Sequence, residues 1–137
     1  MNLVEKLIKI DKGEFEKTKV KSFKSKRLSE IMGEDAWVKL KELDPEYILQ
    51  LSQTGVDSEG NPIISKTMEV NALIVASAMV EPDLKDEALM KHFGCPTPMH
   101  LAKKLFKGEN INLAEKASEM AGMTQDKLEE MEDEIKN

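Results

Sequence analysis

Apolar positions along this chain fall into short periods with clear punctuation. "MNLVEKLIKI" sets Leu3 and Leu7, and likewise Val4 and Ile8, four apart, which is the spacing of one helix face. Asn2 stands at the cap, and Glu5 is placed to answer the Asn2 amide, as in a capping box. The period predicts a helix over 2–10, with Gly13 ending the pattern. "KTKVKSFKSKR", 17–27, is polar and basic, anchored by Val20 and Phe23. It reads as an edge strand or an arm, since lysines on an edge discourage wrong pairing. "RLSEIMG" predicts one helical turn with Leu28, Ile31 and Met32 on one side. "AWVKLKEL" alternates, with Val38 and Leu40 facing one way and Lys39 and Lys41 the other. That is a half-buried strand, expected to pair with the basic strand before it. "DPEYILQLSQTG" has Asp44 at a cap, Pro45 at the first position and Gly55 at the stop, so it predicts a helix with Tyr47, Ile48 and Leu51 inward. "DSEGNP", 57–62, is turn chemistry.

The most apolar element runs from about Met68 to Val80 and ends before Pro82. Leu73, Ile74, Val75, Met79 and Val80 cover more than one helical face, and a helix apolar nearly all round is buried. A central helix over about 66–81 is therefore expected. "DEALMKHFG" predicts a short helix capped by Asp86, with Leu89, Met90 and Phe93 on one face and Gly94 at its left-handed end. Thr97 and Pro98 then open a helix over 98–106 that presents Leu101, Ala102, Leu105 and Phe106. After Gly108, "NLAEKASEMAG" predicts a helix capped by Asn112, with Glu115 in the box position and Gly122 at the end. Thr124 caps a last, strongly acidic helix in which Leu128, Met131 and Ile135 form a narrow stripe. Such a stripe suits a solvated helix docked on its own domain, or a segment entering a partner's groove. The expected fold is mainly α with a small antiparallel β element (α+β). It is a compact multi-helix domain over 1–122, with 123–137 as an acidic amphipathic C-terminal helix or tail.

Length changes that picture little: 137 residues suit one domain, able to bury roughly two thirds of its unfolded surface. Charge adds more. The formal net charge is −6, but the chain is basic at its front and acidic beyond Glu109. A basic front argues for nucleic acid and an acidic back against it. Nine methionines suit irregular core gaps or an adaptable binding surface. Charges at Glu5, Lys6 and Lys9 interrupt any signal-peptide core. The longest apolar run, "ALIVASAMV", is about half the ~20 residues a membrane helix needs. A soluble protein is expected, and a single cysteine fits a reducing cytoplasm.

Candidate chemistry concentrates in "KHFGCPTPMHL", which holds His92, Cys95 and His100, both histidines and the only cysteine. A zinc site needs about four ligands, and His-x2-Cys-x4-His is no recognised metal signature. A Cys–His nucleophile pair lacks an orienting third group. These residues read as the furniture of a turn. No Gly-rich phosphate loop, catalytic carboxylate pair or internal repeat is visible. Neither a catalytic residue, a cofactor site nor a metal site is expected.

Three strings carry a resemblance: "MNLVEKLIKID", "KRLSEIMGE" and above all "VEPDLKDEALMKHFGCPTPMHLAKKLFKGENINLAEKASEMAG". In the last, V-x-P, an acidic-capped short helix, F-G, a T-P helix start, K-L and G-E follow in order. The chain resembles the XkdN-like tail assembly chaperones of long-tailed bacteriophages and prophages over most of 1–122. "CPTPMH" departs from that pattern, which expects small or charged residues there, and the acidic end lies beyond it. The resemblance implies a non-enzymatic protein of the infected host's cytoplasm, absent from the finished tail. It implies binding to the tape-measure protein, keeping that client soluble, and help in recruiting tail-tube subunits. A homo-oligomer is compatible with it.

Client contacts are expected from Met90, Phe93, Met99 and Phe106 at the helical corner, and from Leu128, Met131 and Ile135. The first four suit the core better than a partner's surface. The competing class is a small nucleic-acid-binding regulator of a prophage. It would use the basic 17–27 stripe in salt-dependent contacts, but few groups at the corner could read bases.

Overall fold

A computed structural model describes residues 1–123 of the chain. The order of elements is α1 (Leu3–Ile8), α2 (Lys12–Glu16), β1 (Val20–Lys24), α3 (Lys26–Met32), β2 (Trp37–Lys41), α4 (Pro45–Gln53), α5 (Ile64–Ala78), β3 (Met79–Glu81), α6 (Glu87–His92), α7 (Pro98–Phe106) and α8 (Glu109–Met120). The fold is mainly helical with one small antiparallel sheet, as the periods predict.

The sheet has the order β1-β2-β3. β1 and β2 pair antiparallel, with Phe23 opposite Val38 and Lys24 opposite Trp37. Residues opposite each other share a face, so alternation sorts the two sides. Phe23, Val38, Leu40 and Met79 turn inward, with Val38 and Leu40 fully buried. Lys24, Trp37, Lys39, Lys41 and Glu81 turn outward. Two exposed ion pairs lie there, Lys24–Asp35 at 2.8 Å and Lys39–Glu81 at 3.2 Å.

The inner sheet face packs under α5, which lies against α7 and α8, with α4 on its flank. Alanines make this close approach possible: Ala72, Ala76 and Ala78 on α5, Ala102 on α7, and Ala114 and Ala117 on α8 are all buried. Short side chains bring helix axes toward the lower end of the ~8–10 Å packing range. Leu84, Leu101, Phe106 and Leu113 fill the space between.

Three elements differ from expectation. The central helix starts at Ile64 and ends at Ala78, not near 81. Met79 leaves the helix at φ −68°, ψ 120°, and Met79–Glu81 pairs with β2, Leu40 facing Met79 and Lys39 facing Glu81. Pro82 disfavours helix at Glu81, and the edge of β2 supplies partners for the released backbone groups. Val80 sits in the resulting register shift. The last described helix starts at Glu109, so Asn112 is an exposed residue within it and not its cap. Finally, Lys12–Glu16 forms a helical turn, with Gly13 inside it and the Asp11 side chain accepting from the Gly13 N–H at 3.1 Å. An Asx cap outweighs glycine's low propensity over so short a span.

Candidate functional site

The corner between α6 and α7 explains "HFGCPTP". α6 ends in a Schellman motif: the Cys95 N–H donates to the Met90 carbonyl at 2.9 Å and the Gly94 N–H to that of Lys91 at 3.1 Å. Gly94 takes φ 67°, which only glycine adopts without strain. Thr97 restarts the chain, its hydroxyl accepting from the His100 N–H at 3.2 Å, with Pro98 at the first helical position. His92 stacks edge-on against Phe93, centroids 4.8 Å apart. His92 and His100 line different grooves. Among the described residues no group of three or more His, Cys, Asp or Glu could hold a metal ion.

Beside this corner lies an open groove of about 610 Å³. Met68 from α5 joins Phe93, Cys95 and Pro96 as its apolar floor, while His100, Lys103, Lys104 and Lys107 stand around it. The neighbouring connection to α8 is rigidly built. Buried Asn110 donates from Nδ2 to the carbonyls of Ala102 and Lys107, both at 2.9 Å, which holds Lys107 at φ 49°. Next to it, the Glu109 carboxylate accepts from the Ser25 hydroxyl and, at 3.1 Å, from the Arg27 N–H. The Arg27 guanidinium donates to the Leu105 carbonyl at 2.9 Å.

The four expected contact residues at the corner do not form one patch. Phe93 is 37 % exposed and lines the basic-rimmed groove. Met99 lines a separate groove with Tyr47, Leu73 and Pro98. Met90 is half-buried against the core. Phe106 is fully buried, so its place is the core and not a partner's surface: it lies on the inward face of α7, where Leu101 and Ala102 also sit. Leu128, Met131 and Ile135 lie outside the described residues.

A further surface went unread in the sequence. The apolar face of α1 is periodic, but nothing in the described residues covers it: Leu3 is 68 %, Val4 64 % and Ile8 77 % exposed. Met1, Leu7, Ile10 and Phe15 are exposed as well. Ile31 and Met32, which share a side with Leu28 in the sequence pattern, are also exposed. Periodicity reports that a face exists; only packing reports whether the domain itself fills it. No helix of the described residues is long and apolar enough to cross a membrane.

A small helical layer on a three-stranded sheet, with apolar grooves and an uncovered amphipathic helix, is the build of a binding protein. Residues 4–136 match the pattern of the phage XkdN-like tail assembly chaperone proteins, and the chain belongs to that family. The match runs past Gly122, where the resemblance read from the sequence stopped. Its partners are thus proteins of the phage tail, met in the host cell during assembly. The crystal structure of the protein YqbN shares the fold, with a TM-score of 0.52 and 19 % identity over 76 % of this chain and 87 % of that one. No curated protein matches the chain.

Proposed function

We propose that this chaperone binds the tape-measure protein of its own phage, keeps that client's apolar helices soluble, and helps recruit tail-tube subunits. It acts by binding and not by turnover, in the host cytoplasm, and leaves before the tail is finished. The observation that carries this reading is the α1 face: Leu3, Val4, Leu7 and Ile8 lie exposed on one short helix. A soluble monomer rarely exposes a contiguous apolar patch without a use for it. A helix-shaped client would lay its own apolar stripe against such a face. The α6–α7 groove, with its floor of Met68 and Phe93, offers a second apolar seat.

Co-expression with the tape-measure protein tests the proposal. The client is expected in the soluble fraction only when this chain is present. The quadruple variant L3S/V4S/L7S/I8S is expected to lose most of that effect while staying folded. A client equally insoluble with and without the native chain would overturn the assignment.

A further inference from the structure

The groove beside the α6–α7 corner joins two chemistries. Its floor is apolar, built from Met68, Phe93 and Pro96. Ile64, 88 % exposed, stands four residues before Met68 on α5 and so on the same helix face. Its rim is cationic: Lys103, Lys104 and Lys107 line it and are exposed. Among the described residues no acidic side chain lines the groove, and no carboxylate pairs with any of the three lysines. No residue three or four positions from Lys103 or Lys104 is acidic either, so α7 supplies no ion-pair partner of its own.

The carbonyl end of α7 favours lysines in its last turn, but it does not explain the backbone at Lys107. Lys107 takes φ 49°, a region that favours glycine. Gly108 beside it lies at φ −60°, and a Cβ there would meet nothing within 4 Å. The strained position therefore carries the long cationic side chain, and the unstrained one carries none. Strain held in place by a local network, here the Asn110 bonds to the Lys107 and Ala102 carbonyls, is a property of ligand clamps.

We infer that this groove takes a protein segment that is apolar along one face and acidic beside it. Apolar side chains at helix-face spacing fill the floor, and Asp or Glu on the flank meets the lysines. The volume of about 610 Å³ lies within the roughly 300–1,000 Å³ of pockets that bury a few side chains' worth of ligand. A bare polyanion fits less well: Phe93 is the single aromatic ring of the floor, and successive bases need successive stacking faces. Exposed ion pairs each bring little affinity, so the lysines choose among apolar segments more than they tighten binding. The inference rests on the client reading and deepens it by giving the charge class of the segment that this seat accepts.

Cys95 is the only thiol in the chain and lines the groove, so its alkylation reads occupancy. The full-length chain is mixed with a synthetic peptide carrying Leu at helix-face spacing and Glu on the flanks, and the rate of iodoacetamide labelling is measured. A second peptide has Lys in place of every Glu. The Glu peptide is expected to slow labelling, less so as salt rises, and the Lys peptide to leave it unchanged. In K103E/K104E/K107E the Glu peptide is expected to bind on the order of tenfold more weakly, and the Lys peptide to become the protecting one. Equal protection of the native chain by both peptides, no protection by the Glu peptide, or stronger protection by an oligonucleotide would each overturn the inference. If the peptides fail to discriminate while the client is still solubilised, only the charge preference is lost. If the client stays insoluble while the Glu peptide protects Cys95, the groove keeps its preference and the chaperone reading falls.

Discussion

The hydroxyl of Ser25 donates to the carboxylate of Glu109, across 84 residues of sequence. Ser25 is fully buried and its oxygen also accepts from the Leu28 N–H at 3.1 Å, so it caps α3 while gripping the first turn of α8. Glu109 accepts from the Arg27 N–H as well. One carboxylate thus satisfies the start of α3 and joins the front of the chain to its last described helix. Both partners fall within or beside the strings that resemble the family, "KRLSEIMGE" and the G-E before the closing helix.

Glu109→Ala leaves a buried hydroxyl without its acceptor. The expected loss is about 1.5–3 kcal/mol, because the bonds are to a charged group. Glu109→Gln keeps one acceptor and is expected to lose less. Urea unfolding checks both, and an indistinguishable effect of the two changes would show that the carboxylate is not the tie.

Phe106→Ala and Phe93→Ala should part company. Phe106 is fully buried, so its loss is expected to cost about 3–5 kcal/mol. Phe93 lines the open groove, and its loss is expected to cost under about 1 kcal/mol while weakening whatever the groove holds. Thermal melts of the two variants decide the matter.

Gly94→Ala probes the corner. Nothing lies within 4 Å of an added Cβ there, but φ is +67°, so the penalty is conformational alone, about 1–2 kcal/mol. Gly13→Ala sits in helix, where the added Cβ meets only ordinary contacts, and is expected to be neutral or to stabilise by up to about 1 kcal/mol. Paired denaturant titrations are expected to show a loss for Gly94→Ala and none for Gly13→Ala.

Asn110→Asp replaces a double donor with an acceptor that faces two carbonyls. The Ala102 and Lys107 oxygens would lose their partner and a buried charge would gain none. A loss of about 3–5 kcal/mol is expected, larger than for Asn110→Ala. Comparing unfolding midpoints tests the order.

Much of the architecture was legible because its signals are local. The caps at Asn2, Asp44, Asp86 and Thr97 all hold their helices through the side-chain bonds the sequence suggests. The alternation of Val38 and Leu40 correctly marked the inward face of β2. The candidate surfaces were less legible. Phe106 and Phe93 look alike in periodicity, and α1 has as regular an apolar face as the buried helices. The start of α8 was misplaced because no side chain caps it at Gly108, so no local signal marks where it begins.

By itself the sequence determined the side-chain caps of α1, α4, α6 and α7, the alternation of β2, and the family pattern the chain carries. Those properties depend on residues within a few positions of one another, through hydrogen bonds and sterics that need no distant partner. Tertiary structure alone decided that Met79–Glu81 joins the sheet, that Glu109 answers Ser25, that Phe106 is core, and that the α1 face is left outside. Burial is a property of what arrives from elsewhere in the chain, and an apolar stripe reads the same whether or not anything arrives.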